Sequence, residues 1–179
     1  MALKPTIYKL RISLSDTNRH YYNTLNLTIA QHPSETMERM MVRILAYCIN
    51  AWDNLAFTKG LSATEEPDLW ARSLTDILEL WIDIGEPDPA RIKKATHLAQ
   101  EVIVYCFNKK ADTWWSQEQE NFKVLNASVF QFAINEIKTL ASFVERTMEL
   151  AVTISEDSAY IATQKGECEV SWASLQGSR

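Results

Sequence analysis

Residues 77–107 contain a strand, a helix and a second strand in immediate succession, and this order restricts the fold more than any other part of the sequence. The segment 77–85 (ILELWIDIG) alternates apolar and polar side chains, which is typical of a β-strand. Asp88 and Pro89 then supply a helix N-cap and a first helical residue, and 102–107 (VIVYCF) is typical of a strand buried on both faces. Because a helix that joins two strands must pack on their sheet, the segment predicts a mixed α/β fold.

Both ends of the chain have the pattern of β-hairpins. Between them, residues 34–52 carry apolar side chains at helical spacing, and Ser34 is the predicted N-cap. The whole order predicts a single domain over residues 1–179, with a mixed β-sheet flanked by helices (α/β, or α+β) and extra terminal hairpins. The predicted hairpin strands are 6–14 with 21–30, and 150–154 with 159–163.

Composition excludes several classes of protein. The N-terminus lacks the apolar region of a signal peptide, and no stretch approaches the roughly 18 apolar residues of a membrane span. Cys48, Cys106 and Cys168 are widely separated, which matches neither a disulfide framework nor a metal site. We therefore expect a cytoplasmic protein with reduced thiols and no membrane partner.

The formal net charge of −5 bears on the partners. A net acidic chain does not attract phosphate backbones over a long range, so we expect nucleic acid to bind weakly at most, with a protein partner as the alternative. Carboxylates that hold a divalent cation also count as negative here, so the charge does not exclude a metal site.

The acidic stretch 65–94 contains most of the candidate functional residues. Period-two alternation puts Glu79 and Asp83 on one face of the predicted strand, and the helical phase of 34–52 puts Glu38 inside an apolar arc. Mg²⁺ and Mn²⁺ prefer carboxylate oxygens, and a nearby lysine stabilises charge that develops on a phosphoryl group. The predicted site comprises Glu38, Asp68, Glu79, Asp83 and either Lys94 or Lys93, with Asp68, Asp83 and Glu79 as metal ligands.

The same acids have simpler interpretations. Glu79 and Asp83 would line the solvent face of an edge strand, and Asp68 would cap a turn. In a further alternative, the acids are structural and form partly buried ion pairs. The candidate partners for such pairs are Lys59, Arg72 and Lys94.

Several short motifs resemble the YaeQ family, and the resemblance runs along nearly the whole chain. They are 32–36 (HPSET), 58–62 (TKGLS), 66–70 (EPDLW), 80–85 (LWIDIG) and 91–95 (RIKKA). The family implies a PD-(D/E)XK nuclease-like fold, which has a restriction-endonuclease-like core of order α-β-β-β-α-β. That core carries a glutamate on its helix, an aspartate at the head of one strand and an acid-x-lysine pair on the next.

Carried over by residue, the resemblance implies that Glu38 is the helix acid, Asp68 the first metal acid and Asp83 the acid of the second pair. Gly85 stands where the lysine of that pair is expected. Lys94, or Lys93, on the following helix is the implied replacement.

Two functions are expected from these observations. One is a divalent-metal-dependent phosphodiesterase or nuclease that uses Mg²⁺ or Mn²⁺ and acts on nucleic acid. The other is a non-catalytic nuclease-fold protein that acts as an interaction or regulatory module, which the missing acid-x-lysine spacing and the acidic net charge favour.

Overall fold

This computed structural model describes residues 3–178. They contain ten β-strands and four α-helices. This mixture confirms the predicted α/β (α+β) class. The elements are β1 (Thr6–Asp16), β2 (Tyr21–Gln31), α1 (Met37–Ile49), β3 (Leu55–Phe57), β4 (Leu69–Arg72), β5 (Leu78–Ile84), α2 (Pro89–Leu98), β6 (Glu101–Cys106), α3 (Ala111–Lys123), β7 (Ser128–Phe132), α4 (Ile134–Ala141), β8 (Thr147–Ser155), β9 (Ser158–Ala162) and β10 (Glu167–Gln176).

The elements form two compact units. The first unit comprises Met1–Ile49 and Asn135–Trp172, and the second comprises Asn50–Ile134 and Ala173–Arg179. Within the described part of the chain, no helix is long and apolar enough to cross a membrane. That residues 1–179 form a single domain stays a prediction, because two compact units can belong to one domain that unfolds cooperatively.

The first unit contains strands in the order β2-β1-β8-β9-β10. Antiparallel pairing of β1 with β2 and of β8 with β9 confirms both predicted hairpins, while β1 and β8 are parallel. The alternation in β1 sets its buried face, because Leu10 and Ile12 are buried whereas Lys9 and Arg11 are exposed.

Helix α1 begins later than its sequence pattern predicts. Thr36 Oγ1 accepts the backbone N–H of Arg39 at 3.1 Å, as an N-cap does, so the prediction of Ser34 as the N-cap is wrong. Ser34 Oγ instead lies 2.6 Å from His32 Nδ1. The His-Pro-Ser segment is therefore a turn that precedes the helix.

Glu35 is the buried acid at this end of α1. Its carboxylate accepts hydrogen bonds of 2.7 Å from both Nε and Nη2 of Arg43 and one of 3.1 Å from Arg39 Nη1. Glu38 is only half-buried, because helical side chains lean toward the helix N-terminus and the core covers a first-turn residue less than the later ones. The catalytic role of Glu38 stays a prediction, and the structural acid is Glu35.

The second unit contains strands in the order β7-β6-β5-β4-β3. Parallel pairing of β5 with β6 confirms the predicted strand-helix-strand crossover through α2. Asp88 Oδ1 accepts the N–H of Ala90 at 2.7 Å and Pro89 is the first helical residue, as the sequence predicts. Strand β4 was not predicted, because four residues are too few to display an alternation.

Replacing Glu35 by Gln should lower the free energy of unfolding by about 3 kcal/mol, because Arg43 then stays buried without its counter-charge. The matched control is Glu38→Gln on the same helix. It should cost less than about 1 kcal/mol, since it removes one carboxylate near a helix N-terminus. Urea unfolding followed by circular dichroism measures both variants, and equal losses would contradict the roles given to the two glutamates.

Candidate functional site

Asp68, directly before strand β4, and Asp83, in strand β5, lie next to each other in the second unit. Leu69 of β4 pairs with Ile82 of β5 in antiparallel register; Asp68 directly precedes Leu69, and Asp83 directly follows Ile82. Asp68 Oδ2 accepts the N–H of Ile84 at 2.8 Å. Asp68 and Asp83 are 5% and 3% exposed. Strand β5 lies between β4 and β6, so the interpretation that Glu79 and Asp83 line the solvent face of an edge strand is wrong.

Arg91, on the first turn of α2, is the cation of this site. Its guanidinium donates two hydrogen bonds to Asp83, with Nε to Oδ2 at 2.7 Å and Nη2 to Oδ1 at 3.1 Å. Nη2 also donates to the carbonyl of Glu66 at 2.8 Å, and Nη1 donates to the carbonyl of Thr64. This planar two-bond pair is among the stronger charge-assisted arrangements. We call Arg91 with these three partners the Arg91 clamp.

Burial and charge act in opposite directions on the Asp83 carboxyl. Burial raises the pKa of Asp83, the hydrogen bonds and charge of Arg91 lower it, Asp68 raises it, and the pKa ends above its ordinary value. The hydrogen bond to Asp83 in turn raises the pKa of Arg91. The indole Nε1 of Trp81 is buried without an aligned hydrogen-bond partner among the described residues, although it weakly lowers the pKa of Asp83. The ionised form of Asp83 therefore depends on the guanidinium.

Glu79 lies at an irregularity of strand β5. The register of β4 against β5 shifts between Ala71 and Arg72, which leaves Glu79 as an extra residue in β5. Its Oε2 accepts a hydrogen bond of 2.6 Å from Asn54 Nδ2. Because a bulge interrupts the alternation of side chains, the period-two argument that placed Glu79 with Asp83 does not hold across it. The role of Glu79 as a metal ligand stays a prediction.

Lys93 and Lys94 are exposed on α2, and neither forms an ion pair with another described residue. The basic residue that reaches Asp83 is Arg91 on the same helix. Sequence reasoning missed it, although a signal was present: the N-cap at Asp88 starts the helix directly after β5, so the first helical turn stays beside the strand end.

Gly85 directly follows β5 and has a backbone angle that favours glycine. Its φ is +111°, and its N–H donates to the carbonyl of Tyr105 at 2.8 Å. A side chain at this position would have free space around its Cβ, yet residues with a Cβ rarely adopt such a φ. The backbone therefore disfavours a lysine at the position where the acid-x-lysine motif would have one.

The described acids do not fit a divalent cation as they are arranged. Across residues 3–178, no three His, Cys, Asp or Glu side chains are close enough to hold a metal ion. Both oxygens of Asp83 accept hydrogen bonds from Arg91, and one oxygen of Asp68 accepts the N–H of Ile84. The Mg²⁺ or Mn²⁺ cofactor stays a prediction, and binding it here would require Arg91 to move.

The two buried thiols, Cys48 and Cys106, do not offer a nucleophile. Burial raises the pKa of Cys48 to about 12 and the pKa of Cys106 to about 12. Since the thiolate is the reactive form, these two side chains act as small apolar core residues.

Comparisons with known proteins extend over almost the entire chain. A family model described as "YaeQ protein" matches residues 1–172. The relative named "Uncharacterized protein YaeQ" from Escherichia coli (strain K12) is 39% identical over 178 residues, which is 98% of each protein, and the Salmonella typhi relative is equally similar. The crystal structure of YaeQ protein from Xanthomonas axonopodis pv. citri has a TM-score of 0.94 and 34% identity, covering 97% of this chain and 99% of that one. The structure of YaeQ protein from Pseudomonas syringae has a TM-score of 0.93 and 33% identity, covering 97% of both chains.

Replacing Arg91 by Met should destabilise the protein by about 2–3 kcal/mol at neutral pH, because Asp83 loses its counter-charge while Arg91 is only partly buried. The pKa of Asp83 should rise further, since the hydrogen bonds and charge that lower it are gone. An acid whose pKa is raised by folding contributes to the free energy of unfolding. That contribution is complete below the acid's unfolded-state pKa and is lost as the pH rises through its folded-state pKa. The stability of the variant should therefore approach that of the wild type in acid and should decrease relative to the wild type as the pH increases.

Chemical denaturation across the acid-to-neutral range measures this dependence. Lys94→Met on the same helix is the matched control and should follow the wild type at every pH. A second variant, Arg91→Met with Asp83→Asn, should remove the additional pH dependence. If Lys94→Met cost as much as Arg91→Met, the assignment of Arg91 as the cation of the site would be wrong.

Proposed function

Since the chain belongs to the YaeQ family, we propose that it is a non-catalytic protein of the nuclease-like fold that acts as an interaction or regulatory module. The observation that carries this proposal is the Arg91 clamp, in which a guanidinium takes both oxygens of Asp83. In a metal-dependent hydrolase those oxygens would hold the cation that polarises the phosphoryl group.

The other functional groups support the same proposal. A general acid or an electrostatic stabiliser must reach the place where charge develops, and neither Lys93 nor Lys94 lies in the clamp. The φ of Gly85 disfavours the motif lysine at its usual place. The clamp instead has a structural use, because it fixes the loop carbonyls of Thr64 and Glu66 against strand β5.

The net charge favours a protein partner over nucleic acid. The chain carries 23 acidic against 18 basic side chains. Such a surface gives no long-range attraction for phosphate backbones, so nucleic acid would have to be held by local contacts alone.

A second candidate function is a Mg²⁺- or Mn²⁺-dependent phosphodiesterase acting on nucleic acid. It is favoured by the element order α1-β3-β4-β5-α2-β6, which agrees with the order α-β-β-β-α-β of a restriction-endonuclease-like core. The adjacent Asp68 and Asp83 agree with the two acids of that core. This candidate requires Arg91 to leave Asp83 when the cation binds.

Titration calorimetry with Mg²⁺ and with Mn²⁺ distinguishes the two candidates. For a non-catalytic protein we expect no saturable binding at millimolar cation and no cleavage of single- or double-stranded nucleic acid. Saturable binding that Asp83→Asn abolishes and Lys94→Met preserves would overturn the proposal and favour the phosphodiesterase. Circular dichroism of each variant verifies that a lost signal does not come from unfolding.

A further inference from the structure

Strand β2 is the edge strand of the first unit, and within residues 3–178 its only partner is β1. Lys9 N–H donates to the carbonyl of Arg146 beside β8, so the odd-numbered residues of β1 direct their backbone groups to β8 and the even-numbered ones to β2. The register pairs even-numbered residues of β1 with odd-numbered residues of β2, for example Tyr8 with Ile29. The backbone groups of the even-numbered β2 residues therefore point outward from the sheet edge.

These outward residues are exposed, and their central groups are available. The even-numbered residues of the edge are Tyr22, Thr24, Asn26, Thr28 and Ala30, and all five are exposed. Two of the outward groups at the ends are already used, because Thr24 N–H donates to Asn23 Oδ1 at 2.8 Å and the Ala30 carbonyl accepts from Arg43 Nη2 at 3.1 Å. The N–H and carbonyl groups of Asn26 and Thr28 form the open centre of the edge.

The edge lacks the devices that usually prevent strands from pairing. Natural edge strands are kept apart by charged side chains, proline, bulges or short length. Strand β2 runs for 11 residues (YYNTLNLTIAQ) without a charged residue or a proline, and it pairs with β1 without a register shift. Its neighbour β1, which is not an edge, carries Lys9, Arg11 and Asp16. The lack of charged residues is therefore specific to the edge strand β2 and is not shared by the neighbouring strand β1.

We propose that the β2 edge pairs antiparallel with the β2 edge of a second copy of this chain, so that one β-sheet continues across a two-fold axis. A two-fold pairing centred on Asn26 places Thr24 opposite Thr28 and Tyr22 opposite Ala30 of the second copy. Every outward pair is then uncharged, and Thr–Thr pairs are favourable across strands. The central pair uses the open backbone groups of Asn26 from both copies.

A second copy fits this edge better than an unrelated extended segment does. It supplies a strand of equal length that is already held straight by its own β1, so little conformational entropy is lost on pairing. The closed two-fold contact uses the β2 edge of both copies and leaves no β2 edge for a third copy, which gives a dimer and not a fibre.

Light scattering coupled to size exclusion tests the proposal over a wide range of protein concentration. The wild type should have twice the monomer mass. Asn26→Lys adds a charge at the centre of the edge and should give the monomer mass. The matched control is Thr153→Lys, which adds the same charge at an exposed position of β8, away from the β2 edge, and it should remain a dimer.

Amide hydrogen exchange provides a reading that does not depend on the variants. In the dimer the amides of Asn26 and Thr28 should be protected as well as those of Leu25 and Leu27, which pair with β1. In Asn26→Lys, protection should remain at Leu25 and Leu27 and be lost at Thr28, which separates dissociation from unfolding. A monomeric wild type, rapid exchange at Asn26 and Thr28, or a dimer that survives Asn26→Lys would each overturn the proposal. None of these results bears on metal binding, so the proposed function is tested separately.

Discussion

A carboxylate that is buried at the end of a strand needs a counter-charge, and a helix turn and a loop of the second unit meet where Asp83 receives one. The guanidinium comes from the first turn of α2, and that turn is held in place by the N-cap at Asp88. The same guanidinium also fixes two loop carbonyls ahead of β4. A buried ion pair often contributes no more to net stability than apolar side chains of similar volume would. Removing only one partner is nevertheless strongly destabilising, because the other charge stays buried without its counter-charge. The pair therefore specifies an arrangement of strand, helix and loop more than it adds stability.

Side-chain periodicity predicted the elements that are long enough to display it. The alternations in β1 and β2 identified the hairpin, and the capped turn at Asp88 identified the crossover helix. Strand β4 was missed because its four residues contain no complete pattern. The start of α1 was misplaced because Ser34 and Thr36 are both good N-cap residues, and only the turn that bonds Ser34 to His32 decides between them.

The candidate site was predictable to the level of its two aspartates and no further. The resemblance to the YaeQ family marked Asp68 and Asp83, and the structure places them side by side. Two details follow from tertiary geometry that no sequence pattern contains. One is the register shift that leaves Glu79 as an extra residue, and the other is the reach of Arg91, which is positioned by its place in the first helical turn and not by its distance from Asp83 along the chain.

The conformation of Gly85 has a consequence for how this site could change over time. A lysine introduced at this position would first have to rotate the backbone away from a φ of +111°, which would disturb the hydrogen bond from the Gly85 N–H to the Tyr105 carbonyl. An acid-x-lysine pair here thus requires the end of β5 to be rebuilt together with the residue, so one substitution is not enough. The strand end therefore constrains which side chains this position can accept, independently of any requirement that a function places on it.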